Sequence, residues 1–225
     1  MKLKKIEPKF VEKKNPKIGL ISLASDFRIE KDFNEVINHN EIDLYTNRIH
    51  SYNPLTNKNL KKMANDITAV TADILPNQKL DCVVYGCTSG TIAAGYKSIY
   101  DKVNLAKPNT KVTTPITSTI NALKTLKIKK LSIFTPYTDE INQSVIKFFR
   151  KEKIEITEFF YFDIASDLDI GKVDPNYLFN VLCKMKNSKD KALFISCTAL
   201  PILPMIKELE KKIGKIILSS NQTLI

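Results

Sequence analysis

Twice in this chain a short apolar run stops at a Cys-Thr pair, and the two occurrences lie far apart. The first is Asp81-Cys82-Val83-Val84-Tyr85-Gly86-Cys87-Thr88-Ser89-Gly90-Thr91, and the second is Ala192-Leu193-Phe194-Ile195-Ser196-Cys197-Thr198-Ala199-Leu200. Runs of this length, bounded by turn residues, fit strands buried on both faces of a parallel sheet. The backbone N–H groups after each cysteine are expected to open a helix. Such an end holds anions and lowers the pKa of a thiol.

The rest of the chain alternates in the same way. Strands are expected over 17–24, 42–45, 80–86 and 111–114, with helices over 29–38, 61–74, 88–99 and 118–126 between and after them. The pattern then restarts, with strands over 130–134, 154–162, 192–196 and 215–219, and helices over 139–151, 175–186 and 200–213. Thr138 is placed to cap the helix at 139, Pro175 suits a first helical turn, and Gly214 stands at a helix stop. KIGLISLASD in the first half matches KKLSIFTPYT in the second, CVVYGCTSG matches LFISCTALP, and KVTTPIT matches KIILSSN. The Cys-Thr pair recurs at the corresponding element of each half, which favours duplication over loose self-similarity. Alternation of this kind gives an α/β fold with helices on both faces of parallel sheets. We therefore expect two pseudo-symmetric domains, residues 1–114 and 115–217, with 218–225 returning to the first. Ligands in such sheets bind beyond the carboxyl ends of the strands. Cys87 and Cys197 would then face one another across the cleft between the domains.

Composition narrows the classes of function. The 225 residues carry a formal charge of +11 at pH 7, but only Arg28, Arg48 and Arg150 are arginines, and the lysines are spread through every segment. Base and phosphate readers favour the bidentate arginine fork, so neither nucleic acid nor a membrane is expected as partner. No apolar run approaches the roughly 20 residues of a membrane span, and the basic start has no apolar stretch behind it. The expected location is the cytoplasm. The four cysteines show no Cys-x-x-Cys or Cys/His spacing, so no metal site is expected. Cys82 and Cys183 read as small buried hydrophobes within a strand and a helix.

With these residues in place, the chain resembles the aspartate/glutamate racemase superfamily. Within it, it is most similar to the branch of maleate cis–trans isomerase, arylmalonate decarboxylase and the ectoine-utilisation racemase-like protein. The resemblance runs from about residue 18 to 222. It is carried by YGCTSGT (85–91), FTPYTDEIN (134–142), ISCTALP (195–201) and SSNQ (219–222), with VTTPITSTINAL (112–123) in support. It implies an active site between two α/β domains and neither metal nor organic cofactor. It places the catalytic pair on Cys87 and Cys197, and the carboxylate-holding groups on Thr88, Ser89, Tyr137, Thr198 and Ala199. The decarboxylase keeps only the second cysteine, so the presence of both points to a racemase or isomerase.

The sequence departs from the family pattern at three places. Asp26, and less securely Asp167, stand where maleate isomerases carry substrate-binding asparagines. An ionised aspartate only accepts hydrogen bonds and would repel a carboxylate. Asp26 reads equally as a substrate contact or as the cap of the helix at 29; Asp167 reads as a surface-loop acid. Pro201 stands where the ectoine-related branch often has arginine. Relatives continue into a last helix packed on the first domain, whereas this sequence ends at Ile225, so that helix is expected to be missing or cut short.

The expected activity is therefore a two-cysteine racemase or isomerase acting on a small carboxylate or amino-acid derivative, of the ectoine-utilisation type. Maleate isomerisation by cysteine addition and elimination is the first alternative, and a non-catalytic carboxylate-binding protein the second. A cysteine hydrolase would want a histidine base, and His39 and His50 have no link in sequence to either thiol. The glycines match no nucleotide-binding loop. The oligomeric state, monomer or homo-oligomer, stays open.

Overall fold

The computed structural model describes residues 1, 3–11, 14–187 and 190–225. In the first half the order is β1 (Lys17–Leu23), α1 (Ile29–Val36), β2 (Asp43–Ile49), α2 (Asn57–Met63), α3 (Ile67–Ala72), β3 (Cys82–Tyr85), α4 (Thr88–Ala94), α5 (Tyr96–Ala106) and β4 (Lys111–Thr113). Helix α6 (Pro115–Thr125) follows. The second half runs β5 (Lys130–Thr135), α7 (Asp139–Lys151), β6 (Glu155–Tyr161), α8 (Asp167–Ile170), α9 (Pro175–Cys183), β7 (Ala192–Ile195), α10 (Ile206–Ile213), β8 (Ile216–Ser219) and α11 (Ser220–Leu224).

The strands form two four-stranded parallel sheets, ordered β2-β1-β3-β4 and β6-β5-β7-β8. The order is the same in both, as the duplicated sequence requires. The inner strands are the apolar runs: Leu20, Ile21, Val83 and Tyr85 in one sheet, and Leu131, Ile133, Phe194 and Ile195 in the other, are buried. Each cysteine is two residues beyond a paired strand residue, Tyr85 opposite Ile21 and Ile195 opposite Phe134. The same bond closes each ladder, from the Gly86 N–H to the Ile21 carbonyl and from the Ser196 N–H to the Phe134 carbonyl.

Several expected elements are subdivided or shifted, each for a local reason. The helix expected over 61–74 starts earlier, with the Thr56 hydroxyl accepting from the Asn59 N–H, and tightens to 3₁₀ at Ala64–Asp66. Asn65 and Asp66 carry short polar side chains that compete with helical backbone bonds. The helix expected over 88–99 breaks at Gly95, whose φ of 83° glycine adopts without a Cβ penalty, and resumes to Ala106. β2 extends to Ile49, well past its expected end at 45. The largest departure follows Cys197. No α-helix opens there, because Pro201 disfavours helical backbone at Leu200 and lacks an N–H; a 3₁₀ turn at Leu203–Met205 leads into α10. Thr138 does stand at the N-cap of α7, but its hydroxyl makes no capping bond. Among the described residues, no helix is long and apolar enough to cross a membrane.

The chain ends in an element that the sequence reading did not place. A short last helix, α11, is present. The Ser219 hydroxyl accepts from the Gln222 N–H, and the Gln222 side chain accepts from the Ser219 N–H, a capping box that fixes its start. It packs against α1 and α6. Leu224 joins Leu20, Ile29, Phe33 and Val84 in a small apolar cluster on the first half.

Candidate active site

Cys87 is held by the start of α4. Its sulfur occupies the N-cap position and accepts from the Gly90 N–H at 3.2 Å, with the Ser89 hydroxyl 3.8 Å away. Residue 90 must lack a side chain, since a Cβ there would sit 2.8 Å from both Cys87 Sγ and Tyr85 Oη. The Tyr85 hydroxyl thus lies buried against the sulfur side of the turn, with Cys87 as its polar neighbour.

Cys197 is held differently. Its φ is 101°, a region non-glycine residues rarely occupy and one that stores roughly 1–3 kcal/mol of strain. What keeps it there comes from α11: the Cys197 N–H donates to Ser220 Oγ at 3.0 Å. Ser220 Oγ is also 2.8 Å from Thr88 Oγ1, so one hydroxyl ties the two Cys-Thr turns together. The Asn221 amide donates to the Thr198 carbonyl at 2.9 Å and to Asp32 Oδ2 at 2.7 Å, and Asp32 is paired in turn with Arg28.

The turn after β5 brings Tyr137 to the same place. It is buried, its hydroxyl lies 3.2 Å from Ser196 Oγ, and burial followed by charge on Cys197 and Cys87 holds it protonated. Both cysteines, Thr88, Ser89, Tyr137, Thr198 and Ala199 therefore gather where the carboxyl ends of the two sheets meet. The Thr88 and Thr198 hydroxyls are engaged within the protein, with Ser220 and Asp26 respectively.

Asp26 sits at the entry to α1 and also reaches the second half. Its Oδ1 accepts from the N–H groups of Arg28 and Ile29, at 2.6 and 2.9 Å, at the entry to α1. Its Oδ2 accepts from Thr198 Oγ1 at 2.7 Å, across the interface between the halves. Asp167 is not a surface acid: it is 7% exposed, and its Oδ2 accepts from Ser25 Oγ at 2.5 Å and, more weakly, from Ser51. The segment carrying it is strapped to the first half. The Leu55 N–H donates to the Ala165 carbonyl, the Asp167 N–H to Asn53 Oδ1, and Gly171 lies against the Phe27 ring. Nothing in the local sequence announces this, because Asp167, within an otherwise largely exposed polar run, is buried by contacts with residues more than a hundred positions away. Ser220 and Asn221 lie within the SSNQ motif, but their roles depend on where α11 docks.

The electrostatics reverse one expectation. Burial first, and then charge on Asp167, push the Cys87 thiol up to about 12, with the Gly90 N–H offsetting them only in part. Cys197 is likewise held well above its ordinary value by burial and then by Asp167, against the pull of the Ala199 N–H. A helix N-terminus is available at Cys87 alone, and desolvation outweighs it. Both buried thiols are therefore held neutral, so slow alkylation of the free protein would not mark them as mere packing. Cys87's charge also bears on Cys197, which places the sulfurs within electrostatic reach of each other.

Beside the cluster, a cleft of about 370 Å³ borders Ala199 and Pro201 and is rimmed by Arg28, Lys31, Lys172 and Asp174, with Arg28 paired to Asp32 and Lys172 to Asp169. A larger groove of about 540 Å³ lies along α4 and α7 and is lined by neither thiol. Among the described residues, no group of three or more His, Cys, Asp and Glu could hold a metal ion.

Two thiols at matched strand ends of two duplicated parallel sheets define a protein of the aspartate/glutamate racemase superfamily. Residues 86–224 match the arylmalonate decarboxylase family, and the chain belongs to that family. A maleate isomerase of Geobacillus stearothermophilus is 25% identical over 221 residues, covering 92% of this chain and 88% of its own. Among solved structures, a cysteine-to-alanine variant of the maleate isomerase of Pseudomonas putida S16, with maleate, superposes with a TM-score of 0.83 at 19% identity, over 94% of this chain and 89% of that one. A cysteine-to-serine variant of the Nocardia farcinica maleate cis–trans isomerase, carrying a covalently bound succinylcysteine intermediate, gives 0.83 at 15% identity, over 93% and 89%. The structural matches establish a shared fold.

Proposed function

We propose that this protein is a cis–trans isomerase of a small unsaturated carboxylate of the maleate class, working through Cys87 and Cys197 with no organic cofactor. The observation that supports the reading is two buried thiols at equivalent strand ends of the two sheets, close enough for charge on one to act on the other. The curated relatives named maleate isomerase support it.

The chemistry follows from the placement. As a thiolate, Cys87 Sγ bonds to one carbon of the double bond, and the displaced electron pair takes a proton from Cys197 onto the neighbouring carbon. The remaining single bond rotates. The Cys197 thiolate then recovers a proton from that carbon, the double bond re-forms, and the bond to Cys87 breaks. Over the cycle both sulfurs return to their starting states. Burial serves this sequence by excluding water from the adduct, at the cost of disfavouring the first thiolate.

A second reading is favoured by the two buried acids, Asp26 and Asp167, which suit a substrate bearing an N–H group. In it the thiols act as base and acid on opposite faces of an α-carbon and racemise an amino-acid derivative. Proton NMR in deuterated water separates the two. Conversion of maleate or its half-amide to the trans isomer, lost in Cys87→Ser and Cys197→Ser, is the expected result. Deuterium exchange at the α-carbon of N-acyl diamino acids or amino acids, with no trans product from either unsaturated acid, would replace it by the second reading.

A further inference from the structure

Given the cis–trans isomerase reading, the buried charges around the sulfurs narrow the substrate. Two carboxylates flank the thiols from different elements, Asp26 in the turn after β1 and Asp167 at the start of α8, 2% and 7% exposed. Both oxygens of Asp26 are engaged, Oδ1 by two backbone N–H groups and Oδ2 by the Thr198 hydroxyl. Those of Asp167 are not. Its Oδ2 accepts from Ser25 and Ser51, whereas its Oδ1 accepts no hydrogen bond among the described residues.

Among the described residues, no buried cation balances this pair. Arg48 is 44% exposed and is directed to the backbone carbonyls of Ala24 and Asp26 and to Glu30, while Arg28 is committed to Asp32. The two buried lysines are held elsewhere, Lys107 by the Leu75 and Gln78 carbonyls and Lys215 by Asp190. A dicarboxylate entering here would add two negative charges beside the two already buried, with hydroxyl and backbone N–H donors alone to receive them. If one arm of the substrate is instead a primary carboxamide, that arm brings no charge. Its N–H can donate to Asp167 Oδ1, and the other arm keeps the carboxylate.

We propose that the substrate is a cis-unsaturated monocarboxylate whose second arm is a neutral N–H donor, such as the half-amide of maleate, and that Asp167 is the residue that selects it. The amide also fits the chemistry, since it withdraws electrons more strongly than a carboxylate. Cys87 would bond to the carbon β to the amide carbonyl, Cys197 would protonate the α-carbon, and elimination after rotation returns that proton and breaks the C–S bond.

The pH dependence has a definite sign. Asp167 is raised above the ordinary carboxylate value by burial, offset by the Ser25 hydrogen bond and raised again by charge on Asp26. The titratable groups that face it are Asp26, Cys87 and Cys197 from three other elements, with Asp169 exposed on its own. Maleate is accommodated only while Asp167 holds a proton, so its kcat/KM falls as pH rises through that raised value. The half-amide needs the ionised form and does not lose activity over that range.

The experiment compares kcat/KM of the native protein for maleate and for its half-amide from pH 4 to 8, then repeats it with Asp167→Asn. The half-amide should be preferred by about tenfold or more at pH 8, a cautious figure for a site whose buried polar group would otherwise be left unpaired. Asp167→Asn should shift the ratio toward maleate by a similar factor and flatten its pH dependence. Equal or better use of maleate by the native protein at pH 8 overturns the selection by Asp167 while leaving the isomerase reading intact, and needs no variant to fold. Failure to interconvert either pair of isomers overturns both.

Discussion

Replacing Cys197 by serine is expected to stop turnover, by about 10³-fold or more, while leaving substrate attached to Cys87. The reason lies in the unequal parts the two thiols play in the proposed cycle. Cys87 forms the carbon–sulfur bond, and its position on the Gly90 N–H is independent of Cys197. Elimination requires a base at the carbon next to that bond, and a serine hydroxyl is far too weak an acid to serve as its conjugate. Loss of a positioned acid–base group costs on the order of 10²–10⁴ in rate. Intact-protein mass spectrometry after incubation with maleate or its half-amide should show Cys197→Ser heavier by one substrate molecule. Cys87→Ser should show no adduct and no turnover. The trapped succinylcysteine in the Nocardia farcinica variant is a precedent for such a species on this fold. An adduct in Cys87→Ser, or none in a folded Cys197→Ser, contradicts the assignment of roles.

The second large effect is expected at a residue that touches no substrate. Ser220 is fully buried, and its hydroxyl accepts the Cys197 N–H while meeting Thr88. Ser220→Ala leaves both partners unpaired in the interior, a stability cost of about 1–3 kcal/mol. It also frees Cys197 to relax from its φ of 101°. A shift of about 1 Å in a reacting group can cost on the order of 10²-fold in rate. We therefore expect kcat to fall by about that factor with KM little changed, and Ser220→Thr, which retains the hydroxyl, to recover part of it. The reaction of Cys197 with iodoacetamide relative to Cys87 should change as well, because only Cys197 loses its backbone tether. A fall in thermal stability with kcat and the alkylation ratio unchanged would leave Ser220 a purely structural residue.

How much of this was legible in the sequence depends on how local each cause is. The two parallel sheets followed from the duplicated runs, since LFISCTALP and CVVYGCTSG each carry a strand, a turn and a thiol within ten residues. That the two sheets share one strand order fits the duplication, but the order itself is visible only in the structure. Helix continuity was less legible. Gly95 interrupts a helix whose apolar spacing continues past it, and Pro201 delays α10 even though ISCTALP looks like its counterpart. The thiols' positions could be read from where apolar runs stop, but their protonation could not. The N–H groups that favour a thiolate are local, whereas the burial and the Asp167 charge that oppose it arise only when residues 163–171 cross to Ser25 and Ser51. For the same reason Asp167 read as a loop acid, and α11 went unseen although SSNQ encodes its capping box.

The account rests on Cys87 and Cys197 working as one unit, and a comparison of four proteins tests that most directly. Turnover of maleate and its half-amide would be measured for the native chain, Cys87→Ser, Cys197→Ser and the double variant, with folding checked by circular dichroism. Groups that act together in one cycle are grossly non-additive. The account predicts that each single variant falls to within about tenfold of the double one. Substantial turnover in either single variant, or losses that simply multiply in the double, would contradict it.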